Sequence, residues 1–358
     1  MKDTTLTPAL AERVAALSQL GQVMALIGRG TPWPGHVCGL AEEEYVQLDA
    51  TVRRAHLVNG WFTEENVRHA FLSWGEALQA DALQRWVNAY PELNEQREPR
   101  TVGLILAGNI PVVGLHDLLC VWLSGHQARV KCSSQDPALL PALFDVLERF
   151  SPGASERIVF QTGKLGAVDA VIATGSDNTA RYFEHYFGQL PRIVRKSRMS
   201  VAVLDGTETP EELAALGEDI FCYFGLGCRN VSRLHVPMDF DLDRFFTAIY
   251  PWNAIVHHNK YGNNYDYTRA LWLLDGVRFL ENGFVLLRED PALASPVATV
   301  HYTRYADPAQ VAQSLNTEAE RIQCIVGHDH LPFGSAQHPG LADYADGVDT
   351  LRLLVELP

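Results

Sequence analysis

The sequence contains no CxxC pair, no closely spaced set of cysteines and no metal-ligand spacing. It also has no apolar run approaching the roughly 18 residues that a membrane-spanning helix requires. The six cysteines, Cys38, Cys120, Cys132, Cys222, Cys228 and Cys324, are dispersed along the chain. Dispersal excludes a disulfide scaffold and a cysteine-ligated metal, and it predicts reduced thiols in a cytoplasmic protein. The N-terminus lacks the charged-then-apolar order of a signal sequence. Basic residues are also scarce. Lys and Arg total 29 against 43 Asp and Glu, a formal net charge of −14. An acidic chain of this kind is poorly suited to nucleic acid or an anionic membrane surface.

What is present is a chain of 358 residues, 47% hydrophobic, long enough for two domains with separate cores. Residues 7–28 place Leu10, Val14, Leu17, Leu20, Met24 and Ile27 at helical spacing, and the Thr31-Pro32-Trp33-Pro34-Gly35 segment ends that helix. Helical patterns continue from Ala41 to Asn59 and from Thr63 to Tyr90. The first hundred residues therefore read as a helical region in which Trp61, Phe62, Phe71, Trp74 and Trp86 serve packing.

From Thr101 the pattern alternates short apolar runs with helices. Strands are expected at VGLILAG, ARVKC, RIVFQ, DAVIATG and SVAVLDG, with helices near 113–124, 139–150 and 179–187. Continuous apolar strands separated by helices imply an α/β fold with a parallel sheet covered on both faces. Ligands of such sheets bind at the carboxyl ends of the strands. Asn109 follows the first strand, where its amide is a neutral donor for a developing oxyanion or, more plainly, an Asx turn ahead of Pro111. Lys131, with Ser133 and Ser134 behind it, ends the second strand. Thr174-Gly175-Ser176 follows another strand and opens a helix, a place where amides and hydroxyls can meet a pyrophosphate.

A second stretch, DIFCYFGLGCRNVSRLHVP over 219–237, sets Cys228 behind Gly225-Leu226-Gly227 and ahead of an expected strand. A glycine turn can hold a sulfur at a pocket mouth with the cysteine amide aimed at an oxyanion. A lone cysteine in apolar surroundings is otherwise a small buried hydrophobe. Cys222, six residues earlier and without the turn, is the weaker candidate. The helix leading to this stretch should start at Thr209-Pro210-Glu211-Glu212. Beyond it, the polar run from His257 to Tyr267 reads as a hydrogen-bonded loop or as the source of an acid–base histidine, and His235 as structural. Further strands are expected between Val285 and Tyr305 and at 323–326, with a last strand from Leu351 to Leu357.

The order Gly225-x-Gly227-Cys228, Arg233 and Val236 resembles the nucleophile segment of the aldehyde dehydrogenase superfamily. GLGCRNVSRLHVP and HHNKYGNNYDYTRALWLL are most similar to its LuxC-like acyl-CoA reductases. The resemblance covers residue 100 to the C-terminus. It implies a Rossmann-type nicotinamide-binding domain over 101–206, to which 331–358 return, and a catalytic domain over 207–330, with the helical region 1–100 packed on the former. It further implies that Cys228 is the nucleophile, that Asn109 joins the Cys228 amide in the oxyanion hole, that Lys131 holds the adenosine ribose, and that Ser133, Ser134 and Thr174-Gly175-Ser176 lie against the cofactor. Where NAD-preferring relatives carry an acid, this chain has Ser134, which leaves it open to NADPH, with NADH as the alternative.

Two departures bear on mechanism. Hydrolytic members carry a water-activating glutamate in a region that here reads Ile193-Val194-Arg195-Lys196-Ser197-Arg198, without a carboxylate. A thioester on Cys228 would then await a thiol or a hydride. Ala292 also replaces a glutamate that touches the nicotinamide ribose. Arg195, Lys196 and Arg198 suggest a seat for the phosphates of coenzyme A, or else a solvated sheet edge. The expected activity is NADPH-dependent reduction of an acyl-CoA, or an acyl thioester delivered by a partner protein, to the aldehyde. An aldehyde-oxidising dehydrogenase, a cofactor-independent acyltransferase or thioesterase, and a non-catalytic acyl-holding subunit are the alternatives. A homo-oligomer is compatible with all of them. No metal is expected.

Overall fold

The computed structural model describes residues 6–175 and 187–358. The chain divides into two compact units, one formed by the residues up to Lys196 together with Gly340–Pro358, the other by Ser197–Pro339. Among the described residues no helix is long and apolar enough to cross a membrane.

The first unit begins with helices α1 (Pro8–Gly28), α2 (Glu42–Arg54), α3 (Glu64–Ala77) and α4 (Ala80–Asn88). The single helix expected over 63–90 is thus broken in two, with Leu78 and Gln79 between them. Helices α1 and α3 cross closely because glycines face the contact. A Cβ on Gly75 would come within 2.5 Å of the Ala25 amide nitrogen, and one on Gly28 within 2.5 Å of that of Leu72. Phe62, Phe71 and Trp86 are buried, in keeping with their reading as packing residues.

The sheet of this unit contains β1 (Thr101–Ile105), β2 (Gln127–Lys131), β3 (Ile158–Phe160), β4 (Ala170–Thr174) and β5 (Arg192–Arg195), all parallel, in the order β3-β2-β1-β4-β5. Helices α5 (Leu115–Ser124), α6 (Leu139–Phe150) and the single turn α7 (Ala154–Arg157) lie between the strands in sequence. Val102, Leu104 and the run Ala170–Ala173 are fully buried, as expected of a sheet covered on both faces. The helix expected near 179–187 lies, apart from Phe187, outside the described residues.

Arg195 ties the returning C-terminal segment to this sheet. It is 4% exposed, and its guanidinium donates to both carboxylate oxygens of Asp117 on α5, to the Thr350 hydroxyl and to the Ala345 carbonyl. The last expected strand, Leu351 to Leu357, is instead a helix, α12 (Thr350–Val355). Asp349 caps it by accepting the Arg352 amide at 2.8 Å. The buried residues are Thr350, Leu351, Leu354 and Val355, which is helical spacing, where a strand would bury alternate positions.

The second unit holds a six-stranded sheet in the order β11-β6-β7-β10-β9-β8. Its strands are β6 (Met199–Val203), β7 (Val231–Pro237), β8 (Leu280–Glu281), β9 (Leu286–Glu289), β10 (Thr299–Tyr305) and β11 (Ile322–Val326), parallel except for β8. Strand β6, placed by sequence in a cofactor domain ending at residue 206, hydrogen-bonds to β7 and β11 in this second sheet. Its apolar run carries no mark of which sheet will receive it. Helices α8 (Pro210–Phe221), α9 (Leu242–Ala248), α10 (Asn259–Leu274) and α11 (Pro308–Thr317) complete the unit, and the C-terminal α12 returns to the first.

Helix α8 starts as its sequence predicts, with Thr209 and Glu212 forming a reciprocal capping box. The segment 259–267, read as a polar loop, is the first half of α10. Tyr261, Tyr265, Thr268 and Trp272 are buried along one helical face while the intervening polar residues face outward. At the C-terminal end of α8, buried Asp219 accepts the amides of Gly334 and Ala336 at 2.7 and 2.8 Å, which straps the closing loop to the helix.

The Arg195–Asp117 pair should be costly to break from one side. Asp117→Ala is expected to lower the unfolding free energy by about 3–5 kcal/mol in urea denaturation, because it strands a buried guanidinium. A second outcome concerns pH. Burial raises the Asp219 carboxyl from its ordinary range to about 6. The native state then binds a proton that the unfolded chain has released, so the stability this group confers is lost as pH rises from about 4 to 6. Relative to Asp219→Asn, the native protein should lose stability across that window in denaturation curves taken at each pH.

Candidate active site

In the first unit, the candidate cofactor residues gather at the carboxyl ends of three adjacent strands. Ile105 of β1 lies in register with Lys131 of β2 on one side and Ala173 of β4 on the other. Exposed Lys131, the loop carrying Asn109, and Thr174-Gly175 therefore begin at the same level of the sheet. The order 3-2-1-4 reverses between β1 and β4, which is where open α/β sheets form a ligand crevice.

The two loops on the β1–β2 side press together. The Leu106 amide donates to the Lys131 carbonyl at 3.0 Å, and a Cβ on Gly108 would stand 2.8 Å from both the Cβ and the Oγ of Ser133. Only glycine permits that approach. Ser133 Oγ accepts the Gln135 amide at 3.2 Å, and Ser134 is exposed. Exposed Asn109 sits between two anchors. Asn59 Nδ2 donates to the Gly108 carbonyl at 3.2 Å, and buried Asp136 accepts the Val112 amide at 3.0 Å and the Leu139 amide at 3.3 Å. Burial pushes the Asp136 carboxyl up to about 6. Val112 has φ 54°, a left-handed conformation that costs a β-branched residue about 1–3 kcal/mol and persists only under such clamps. The sequence reading missed Asn59 and Asp136. Asp136-Pro137 ahead of the Leu139 helix is an N-cap signature that would have pointed to the second. Ser176 lies outside the described residues.

In the second unit, Cys228 is exposed and Cys222 is 5% exposed. The difference arises in five residues. Helix α8 ends at Phe221, and Tyr223, Phe224 and Gly225 then take successive left-handed conformations with φ 53°, 60° and 75°. A helix cannot continue through them, and the chain is thrown outward to present Cys228 just before β7. Gly225 has the positive φ that the glycine turn predicts. Tyr223 and Phe224 have it without being glycine.

Buried Asn230 holds that turn. Its Oδ1 accepts the Gly227 amide at 2.8 Å, while its Nδ2 donates to the carbonyls of Asp219, Ile220 and Cys222 at 3.2, 3.3 and 2.9 Å. One carboxamide thus satisfies both the end of α8 and the loop that carries the thiol. The sequence reading did not single it out. Ser200 Oγ on β6 donates to the Cys228 carbonyl at 2.9 Å, and the Arg229 guanidinium donates to the carbonyl of Ala336. These bonds leave the Cys228 backbone fixed while its side chain faces solvent.

The neighbouring histidines divide by role. His235 is buried against Arg233 and Thr303, and burial, followed by the Arg233 charge, lowers it to about 4, so it stays neutral. Arg233 itself pairs with Glu318 at 2.6 Å inside the unit. His258 stacks on Phe224 at 4.2 Å, and His257 is exposed.

The basic run also divides. Arg195 is committed to Asp117, Thr350 and Ala345, so it is unavailable as a phosphate contact, contrary to the sequence expectation. Lys196 is exposed, and half-buried Arg198 donates to the Ile322 carbonyl at 3.2 Å. Asp205, Glu208 and His328 bring ligand-type atoms within 4.8 Å of one another. Hydrogen bonds to Asp205 and then to Glu212 raise the His328 pKa.

No protein-family model matches the sequence, and no curated protein sequence matches it. Solved structures do resemble it. A NAD-dependent benzaldehyde dehydrogenase from Corynebacterium glutamicum superposes with a TM-score of 0.63 at 13% identity, over 89% of this chain and 76% of that one. An indole-3-acetaldehyde dehydrogenase from P. syringae gives 0.59 at 14% identity, over 90% and 72%. An NADP-dependent enzyme of E. coli gives 0.59 at 14%, over 88% and 74%. At these identities the likeness is one of fold, and the chain has the aldehyde dehydrogenase fold, with a Rossmann-like sheet and a second mainly parallel sheet.

Proposed function

We propose that the protein reduces an acyl thioester to the aldehyde through a thioacyl intermediate on Cys228. The observation that carries this reading is the turn itself. Three left-handed residues and the four hydrogen bonds of Asn230 are spent on exposing one thiol, while Cys222 stays in the core. Strain of this kind persists where it positions a reacting group.

In this mechanism the Cys228 thiolate attacks the thioester carbonyl carbon, and the carbonyl oxygen takes up the negative charge. The Cys228 amide and the Asn109 carboxamide are the donors proposed for that oxygen. The C–S bond to the leaving thiol breaks as the carbonyl re-forms, which releases coenzyme A or a carrier thiol. The run from Ile193 to Arg198 offers no carboxylate to activate water, so the thioacyl group is expected to persist. Lys196 and Arg198 are the residues left to meet the phosphates of the leaving thiol.

The close-packed Gly108–Ser133 loops and the three strand ends beside them suit a dinucleotide, with Lys131 toward the ribose and Thr174-Gly175 toward the pyrophosphate. A nicotinamide held there would supply the hydride that takes the thioester to the aldehyde level. Ser134 places no carboxylate against a 2′-phosphate, which leaves the site open to NADPH, with NADH as the alternative. Cys228 would leave as a thiolate when the aldehyde is released.

With NADPH and a series of acyl-CoA thioesters, cofactor oxidation should match aldehyde formed. Cys228→Ala is expected to abolish it with cofactor binding retained, whereas Cys222→Ala should keep most activity. Turnover by Cys228→Ala would refute the assignment. Asn230→Ala should reduce kcat by at least about tenfold in protein that still folds, because the thiol loses its fixed position.

A further inference from the structure

The parallel ladders of the second sheet slip twice, and both slips fall at Ser200 on β6. Against β7, Ser200 pairs with Val231 but Val201 pairs with Arg233, so β7 carries one extra residue there. Against β11, Met199 pairs with Ile322 but Val201 pairs with Ile325, so β11 carries one as well. Bulges are rare between parallel strands and are over-represented beside active sites, where they re-aim a side chain. The Cys324 amide on the bulged stretch of β11 donates to Ser200 Oγ at 3.2 Å. An amide only donates, so this contact occupies a lone pair of Oγ and leaves its proton free to be given away. Cys324 Sγ, 3.0 Å from Oγ, is a weak acceptor, and the Cys228 carbonyl at 2.9 Å is a strong one. The fully buried Ser200 hydroxyl is thus oriented onto Cys228.

What the bond holds is one peptide plane. The Asn230 amide donates to the Gly227 carbonyl at 3.1 Å and closes a turn with Cys228 and Arg229 at its centre. Together with Asn230 Oδ1 on the Gly227 amide, that closure fixes the peptide before Cys228 and hence the direction of the Cys228 N–H. The peptide after Cys228 is the central one of the turn, and its carbonyl is the one that Ser200 holds. With only the first plane fixed, the Cys228 Cβ can still swing about the N–Cα bond. With both fixed, the thiol and the amide keep one relative direction. We propose that Ser200 is a positioning residue, which aligns the Cys228 thiol with the oxyanion that the Cys228 amide meets. The assignment rests on the reading of Cys228 as an acyl-accepting nucleophile and adds the residue that orients it.

Two reactions of the same thiol separate positioning from packing. Acylation by p-nitrophenyl acetate builds charge on a carbonyl oxygen and needs the alignment, whereas alkylation by iodoacetamide builds none and needs only an exposed thiolate. Both are read at Cys228 by peptide mapping. Ser200→Ala should be acylated at least about tenfold more slowly than the native protein and alkylated within about twofold of it. Ser200→Thr, which keeps the hydroxyl, should recover acylation to within about threefold. Ser200→Cys, close in volume but a weak donor, should show the same split as Ser200→Ala and replaces it if that variant does not fold. In acyl-CoA reduction, kcat of Ser200→Ala should fall by about the same factor with KM within about twofold.

Native Cys228 that is acylated by the ester but not by an acyl-CoA would refute the thioester reading and leave the role of Ser200 supported by the split. Equal loss of both rates in Ser200→Ala, undiminished acylation of that variant, Ser200→Thr no faster than Ser200→Ala, or native Cys228 that the ester does not acylate would overturn the proposal.

Discussion

The side chain of Asn230 is the constraint on which the candidate nucleophile depends. A helix that ends in the core leaves carbonyls without partners, and a turn of three left-handed residues leaves amides that must be held. Asn230 answers both with one carboxamide, accepting from Gly227 and donating to three carbonyls at the end of α8. Because the residue is buried at the start of β7, the register of the sheet fixes the carboxamide, and the carboxamide fixes the loop. The loop that carries the exposed thiol is thus held by a side chain buried in the unit. Asp219 extends the arrangement, since its own carbonyl receives Asn230 while its carboxylate receives the closing loop.

The first unit uses the same device at the other candidate site. Asp136 and Asn59 hold the loop after β1 in a conformation that Val112 would not adopt unaided, and Gly108 lets that loop lie against Ser133. In both units a buried polar side chain holds a segment that has a residue at positive φ and carries an exposed candidate site residue. Burial raises the Asp136 and Asp219 carboxyls to about 6, against the opposite pull of the amides they accept.

Much of this was legible in the sequence, and the limits have physical causes. The alternation of apolar runs with helices gave the parallel sheets, because buried strands need no alternation. The capping box at Thr209 gave the start of α8. The glycine before Cys228 marked the turn, and Gly225 has the conformation it implies. Strand β6 was assigned to the wrong sheet, since hydrophobicity records burial and not partners. The C-terminal helix was read as a strand because Leu351–Leu357 is apolar enough for either, and the Asp349 cap decides. Arg195 looked like a phosphate ligand because a sequence shows a charge without showing Asp117 opposite it. Asn230 was overlooked because its four bonds reach residues up to eleven positions away, and no local motif encodes them.

The central claim is that Cys228 carries an acyl group which water does not discharge. The most direct test is intact-protein mass spectrometry after mixing with an acyl-CoA in the absence of cofactor, followed by peptide mapping and a chase with NADPH. The account predicts a single acyl adduct on the Cys228 peptide that persists in buffer and leaves as aldehyde when NADPH is added. An adduct on another residue, or one on Cys228 released as free acid before cofactor is supplied, would contradict it.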